Sequence, residues 1–525
     1  REQLAPILGL NEPNYDDLKL WIEFATEVND VAMELTFGGY ESNPATWPEL
    51  PPELVHQKSI DKFEAISDIC ETVSEILAEE QYVTQEHQWL ALQHEVLNAP
   101  KKIVLLGTTD LNTLLRKILS RMVANGSSVD AAIRSPETKK DWFDDFGCVI
   151  PDKWKQELID IPDNSIAVAG SPSSQANKLI GAISSLEGKY GKDEITVAVT
   201  NEESIPAIRR QLEGHDVSTR FAGGDSVLQS PEVKLLEAIS DYSRTKSYQS
   251  YASLVRHPFI GALLEIRSST LHELDRFYAH HLPTTIGKKW FTPSSISWRV
   301  KNKPLIELHE KVWGLFSSVL DSSQQSVTNW SSIIRELLLT LYDDQELDRQ
   351  SRRLFSLKAI FSALDTIDIL PIFVVNSIGG VKIETVFDLI LDELKSVSIP
   401  EYPNQEAVDI VGWLESMTDD APCLFVVGMD STLLDASTKS KAFLPDSLRE
   451  ELELETSAVK LARDTHAVSA MLHSRMKHGH LGWIVSRRTA DGDPLTPNPL
   501  LLRCDKNEQL AKRSLTMVVE LGADS

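Results

Sequence analysis

Two stretches decide the fold: "SIAVAGSPSSQANKLIGAIS" at residues 165–184 and "EITVAVTNEESIPAIRRQL" at residues 194–212. Each opens with a short β-rich apolar run. A polar turn of Ser, Thr, Asn or Asp follows, and then an amphipathic helix. "KKIVLLGTTDLN" at 101–112, followed by a helical run from Leu111 to Met122, has the same form. Repeated strand–turn–helix units require a parallel sheet, because each strand can rejoin its neighbour only through a crossover. Strand-like runs return late in the chain, in "PCLFVVGMD" (422–430) and "LGWIVSRR" (481–488). Residues from about 235 to 395 read mostly as helix. The reading is therefore an α/β protein whose parallel sheet is interrupted by a long helical insertion and then resumed.

Outward from that core, residues 14–97 also repeat at helical spacing. Leu18, Trp21, Ile22 and Phe24 form one stripe, and Ile66, Ile69, Val73 and Ile76 another, separated by the proline-rich Pro44–Pro52. At 525 residues, with 42% hydrophobic and 25% charged content, the chain is too long for one core and ordinary for a soluble protein. Apolar runs such as Leu370–Val375 are far too short to span a bilayer. Cys70, Cys148, Cys423 and Cys504 are scattered with no C-x-x-C pair, which suits a cytoplasmic chain without disulfides. Arg1 is an unusual start and Ser525 ends on no motif, so the chain reads as an excerpt of a longer protein.

Charge is distributed unevenly. The net charge is −26, which as a whole disfavours wrapping a phosphate backbone. Residues 1–100 hold 20 Asp and Glu against four Lys and Arg. Residues 244–303 reverse this, with ten Lys and Arg against Glu265, Glu273 and Asp275. That segment also carries Tyr248, Tyr251, Phe259, Phe277, Tyr278, Trp290, Phe291 and Trp298. Cations neutralise phosphates and rings stack on bases, so the combination suits single-stranded nucleic acid. A helical unit with an aromatic core and a charged surface would have the same composition.

Catalytic motifs are missing from these residues. A phosphate loop G-x-x-x-x-G-K-[ST] needs close glycines and a Lys followed by a hydroxyl. The nearest approach, Gly181 to Lys189, has six residues between its glycines, and Tyr190 follows the Lys. Asp110 closes the run "IVLLGTTD" without an acidic neighbour and reads as a helix N-cap. Pro162-Asp163 with Glu187-Gly188-Lys189 matches the letters of a PD…ExK nuclease, but Glu187–Lys189 closes a helix instead of lying on a strand. His94-Glu95 lacks the second His of H-E-x-x-H, and His473, His478 and His480 lack a fourth ligand, so no metal site is expected. "DGDPL" (491–495) reads as a tight turn around Gly492.

The last third resembles a known family. "VGWLESMTDDAPCLFVVGMDSTLLDASTKSKAFLPDSLREELEL" (411–454), "ARDTHAVSAMLHSR" (462–475) and "SRRTADGDPLTPNPLLLR" (486–503) are similar to AddB-type subunits of the AddAB helicase–nuclease. Upstream, "VLLGTTDL", "IAVAGSPSSQANKL", "AGGDSVLQSPEVKLLEAI" and "LVRHPFIG" fall in that family's order. The resemblance covers most of 95–505 and is thinnest at the N-terminus. It implies RecA-like (P-loop NTPase-type) parallel sheets of a superfamily 1 helicase core with large helical insertions. The implied domains are a 1B-like insertion at 1–97, the rest of the first RecA-like domain at 98–165, the second at 166–239 and 401–525, and a 2B-like insertion at 240–400. It also implies an AddA-like motor partner, single-stranded DNA as ligand, and a PD-(D/E)XK nuclease with an iron–sulfur cluster beyond Ser525. ATP with Mg, and that cluster, would belong to the longer protein; no cofactor is expected in these residues.

One departure bears on activity. After Val427-Gly428-Met429 the family shows Asn, an acidic residue, Gly and a later Pro, where this chain has Asp430, Ser431, Thr432 and Leu433. A working helicase couples ATP to the strand at that loop, so the expectation is a DNA-binding module of a double-strand-break repair subunit without motor activity. The candidate contacts are Arg256, His257, Lys288, Lys289, Trp290 and Arg299, with Arg475, Arg487 and Arg488 lining the same path. Two other readings stay open. One is an ATP-dependent helicase whose phosphate loop lies upstream; the other is a scaffold that holds a motor subunit through the acidic N-terminal helices.

Overall fold

The computed structural model describes residues 18–51, 57–95, 100–287, 300–320, 323–343, 351–401, 406–431, 433, 444–489 and 492–518. It divides into two units, 1–222 with 403–525, and Gly223–Tyr402. Among the described residues the strands are β1 (Lys102–Leu106), β2 (Ser128–Ala132), β3 (Ile166–Ala169), β4 (Ile195–Val199), β5 (Thr219–Phe221), β6 (Asp225–Ser226), β7 (Ser398–Ile399), β8 (Val408–Gly412), β9 (Cys423–Val427) and β10 (His480–Ser486).

The first unit is α/β around a six-stranded sheet ordered β3-β10-β9-β4-β8-β5. Every pairing in it is parallel. A parallel sheet must be covered on both faces, and its side chains divide accordingly. Ile195, Val197, Val199, Cys423, Phe425, Val427 and Ile484 point to one face, against Ala176, Leu179, Ile205, Ile208 and Leu212 of the helices Pro172–Ser184 and Ile205–Glu213. Ala198, Leu424, Val426, Trp483 and Val485 point to the other, against Ala467, Val468, Ala470 and Met471 of the helix Ser457–Arg475. The alternation follows from the two-residue period of a strand. This architecture is compatible with a RecA-like or other doubly wound core.

The N-terminal helices Leu18–Gly38 and Gln57–Glu79 do not separate from this unit. Trp21, Val28, Val31, Leu35, Phe63 and Ile66 close on Leu444, Leu448, Leu452 and Leu454. Arg449, buried at 4% exposure, fixes the junction through both Glu34 oxygens and the carbonyls of Leu444 and Glu455. Part of the acidic N-terminal surface therefore holds a buried cation. The described residues of 98–165 contribute a parallel pair, β1 with β2, linked by the helix Thr113–Ala124, and the short helix Pro151–Trp154. Trp142, Phe143 and Trp154 then pack this segment around His466 of the helix Ser457–Arg475.

Among its described residues the second unit is helical, with one antiparallel strand pair, β6 with β7. Ser230 caps the helix Pro231–Thr245 by accepting from the Val233 amide, with Pro231 at the first helical position. That helix packs on Ile383–Leu394, so the unit starts upstream of the residue 240 expected from sequence. Its core includes Trp330, whose indole donates to the Val381 carbonyl at 2.9 Å, with Leu364, Val386, Phe387 and Ile390.

Candidate nucleic-acid interface

Parallel strands carry their functional loops at the carboxyl edge, where the chain leaves each strand for its crossover. Four such loops meet here, after β3, β10, β9 and β4. Ser171 ends the β3 loop by capping the helix Pro172–Ser184, accepting from the Ser174 amide at 3.3 Å. Gly428 donates its amide to Ile484 at 2.9 Å, and its carbonyl accepts from the Thr200 hydroxyl at 2.6 Å. Its φ of +87°, with a built Cβ falling on Thr200, leaves room for no side chain. The departing loop then turns sharply: the Asp430 amide bonds Gly428 and the Ser431 amide bonds Thr496. This edge is tied together by backbone contacts.

The structure splits the basic stretch 475–488 between opposite ends of the sheet. Arg487 and Arg488 follow β10 at the carboxyl edge. Arg487 caps the C-terminus of the helix Asn507–Val518, donating to the Thr516 carbonyl at 2.7 Å and to Met517 at 3.2 Å. Such unpaired carbonyls attract cations. Arg488 is exposed and reaches the Gly492 carbonyl at 3.4 Å. Arg475 lies at the amino edge, beyond β10, a strand that spans roughly 20 Å. It is 5% exposed, bonds Asp419 at 2.7 Å and donates to the Asp419 and Ala421 carbonyls, each at 3.1 Å. Burial pulls the Arg475 guanidinium below its usual range and pushes the Asp419 carboxyl above its own. Arg475 holds the sheet edge together and offers nothing to a ligand.

In the helical unit, Arg256 and His257 stand at the junction of the helices Tyr248–Arg256 and Pro258–Leu263. Arg256 pairs with Asp275, which also accepts from the Tyr248 hydroxyl at 2.9 Å. Tyr248 stacks on Tyr278 with centroids 3.9 Å apart and 13° between planes. His257 is half-buried, with Nε2 3.0 Å from the Pro231 carbonyl, and burial lowers its pKa, favouring the neutral ring. Lys288, Lys289, Trp290 and Arg299 lie outside the described residues, but the chain leading to them is fixed. Ile286 is fully buried, its amide bonds the Lys246 carbonyl at 2.6 Å, and its carbonyl accepts from Tyr242 at 2.8 Å. Of the aromatics that suggested base stacking, Tyr248 and Tyr251 are buried, and Phe259 stacks on Tyr342 at 4.6 Å. Those three are packing residues. The unit as a whole is close to neutral, with 19 Lys and Arg against 22 Asp and Glu in 223–402, so nearly all of the −26 lies elsewhere.

Motif reading missed a cavity of about 680 Å³ between the helix Leu18–Gly38, the loop after β1 and the helix Ser457–Arg475. Asp110 lies there, and its role differs from the N-cap expected of it. Asn112 caps the helix Thr113–Ala124, accepting from Leu115 at 2.8 Å, while Asp110 pairs with Arg463 at 2.8 Å. Arg463 also meets Glu455 at 3.6 Å, Lys460 meets Glu455 at 3.6 Å, and Arg116 pairs with Asp144. Glu27, Asp30 and Glu453 add further carboxylates to the wall. A nucleotide triphosphate needs uncommitted cations and free amides, so these residues do not fit one. Among the described residues no three His, Cys, Asp or Glu side chains gather as a metal site. No single helix there is long and apolar enough to cross a membrane. No family model matches the chain, and no curated protein matches it.

Proposed function

We propose that this chain is a DNA-binding, non-motor module of helicase-like build, of the AddB type, which works beside a motor subunit on single strands released at double-strand breaks. The observation that carries this reading is the arrangement of the parallel sheet. It is interrupted at Phe221 and resumed at Val408, and its motif-like segments lie at the carboxyl ends of adjacent strands. Two further features support it. The interrupting unit is far less acidic than the rest and carries the basic segment, and the cavity beside the β1 loop has Arg463, Lys460 and Arg116 already paired. These features support a strand-binding role without ATP turnover.

The test is the affinity of the full chain for labelled oligothymidine over a range of salt. Binding should weaken with salt, and replacing Lys288, Lys289 and Trp290 together by Ala should reduce the log–log slope by about 0.7 for each phosphate that the variant fails to neutralise. An unchanged slope would remove that segment from the interface. A second reading, a scaffold for a partner protein, is favoured by the β1–β2 pair. Its outer face leaves Val104 50% and Leu106 75% exposed, although parallel strands are normally covered.

A further inference from the structure

The helix Ser268–His281 presents a pattern that the strand-binding reading does not use. His272, Arg276 and His280 recur every fourth residue and all three are exposed. Four residues advance a helix by about 6 Å, comparable to the step between consecutive phosphates on an extended single strand. Residues so spaced form one row along the helix surface. No carboxylate of the described residues pairs with Arg276.

The two imidazoles are held in one orientation. Nδ1 of His272 lies 2.8 Å from the Ser268 carbonyl, and Nδ1 of His280 lies 2.7 Å from the Arg276 carbonyl. A carbonyl only accepts, so the proton of each neutral ring sits on Nδ1 and Nε2 carries a lone pair. A phosphate oxygen meeting that lone pair gains nothing. Protonation converts Nε2 into a charged donor and the same position into a phosphate contact.

We propose that this exposed helix face is a row of backbone contacts for single-stranded DNA, in which Arg276 acts at all pH values and His272 and His280 engage only when protonated. The row rests on the strand-binding reading and adds to it a site and its regulation. The charged surroundings leave the two rings available. Asp275, the carboxylate that senses His272, is already engaged by Arg256 and by the Tyr248 hydroxyl. Burial and Asp275 raise the Tyr248 pKa, so it stays neutral. On the helix itself Glu273 is half-buried, and at its start Arg267 is exposed. On the helix Lys303–Leu320, which packs against it, Lys303 pairs with Glu307 at 3.5 Å, Lys311 donates to the Leu264 carbonyl, and Glu310 is exposed. His281, at the end, lies against Phe277 with centroids 4.4 Å apart. Residues 282–287 bring no titratable side chain.

The experiment measures binding of labelled oligothymidine to the full chain across salt, at about pH 6 and about pH 8. The salt slope of the unaltered chain should be steeper at the lower pH by about 1.4, two further phosphate contacts at ~0.7 each. In the double variant His272→Gln with His280→Gln that difference should vanish. Arg276→Gln should lower the slope by about 0.7 at both pH values. The same pH response in the double variant, or an unchanged slope in R276Q, overturns the row and leaves the strand-binding reading standing. Absence of oligothymidine binding by the unaltered chain at both pH values overturns both.

Discussion

Arg475 and His466 lie on one helix, and both are buried polar side chains whose role depends on what faces them. Sequence marks Arg475 only as a cation near the end of a helix. Its partner Asp419 is 56 residues earlier, and no local pattern announces the pairing. His466 is 1% exposed, edge-on to Phe143 and Trp154 at 5.0 and 5.2 Å, with Nε2 3.1 Å from the Arg134 carbonyl. Burial, with a smaller effect from Lys139, lowers its pKa from the ordinary 6.5. The unfolded chain therefore takes up this proton more readily than the folded one. Stability from the neutral ring is full above about pH 6.5 and is lost as pH falls through the lower folded value. The melting temperature should fall on acidification from about pH 7 to about pH 5, and His466→Gln should flatten that fall. An equally steep fall in H466Q would mean that the acid sensitivity arises elsewhere. Asp110 teaches the same lesson: its place before a helix suggested a cap, but Asn112 two residues on does that work and frees Asp110 for Arg463.

At the scale of elements, the strands were the most legible part of the chain. Their apolar runs, closed by Ser-Pro or Thr-Asn turns, translate directly into β3 and β4 with the helices that follow. Gly482 within β10 was less transparent, since glycine weakens a strand. It sits in register with Phe425 of β9, and a Cβ there would meet the Phe425 ring at 2.6 Å. The ring fills the space above the glycine. Val has the higher strand propensity, yet Gly482→Val should destabilise the fold by about 1–3 kcal/mol through overpacking. A urea midpoint that rises in G482V would show that propensity outweighs packing at this site. The start of the inserted unit shows a related effect. Helical periodicity runs through Pro231–Thr245 without a break, and its packing against Ile383–Leu394, Tyr248–Arg256 and Arg352–Asp368 assigns it to that unit.

At the scale of the whole molecule, the interrupted sheet could be read from sequence because each strand–turn–helix unit is local. The joining of the N-terminal helices to residues 444–454 could not, because it depends on Glu34 and Arg449, 415 residues apart. The division of charge was visible from the start, and the two units give it a structural meaning. If the chain binds a single strand, the strand should lie mainly on Gly223–Tyr402, the unit that lacks the acidic excess. The most direct measurement is photo-crosslinking of the full chain to a single-stranded oligonucleotide, with crosslinked peptides located by mass. The account predicts crosslinks within residues 244–303 that disappear as salt is raised. Crosslinks confined to the acidic unit, or none at low salt, would contradict it and leave the scaffold reading in its place.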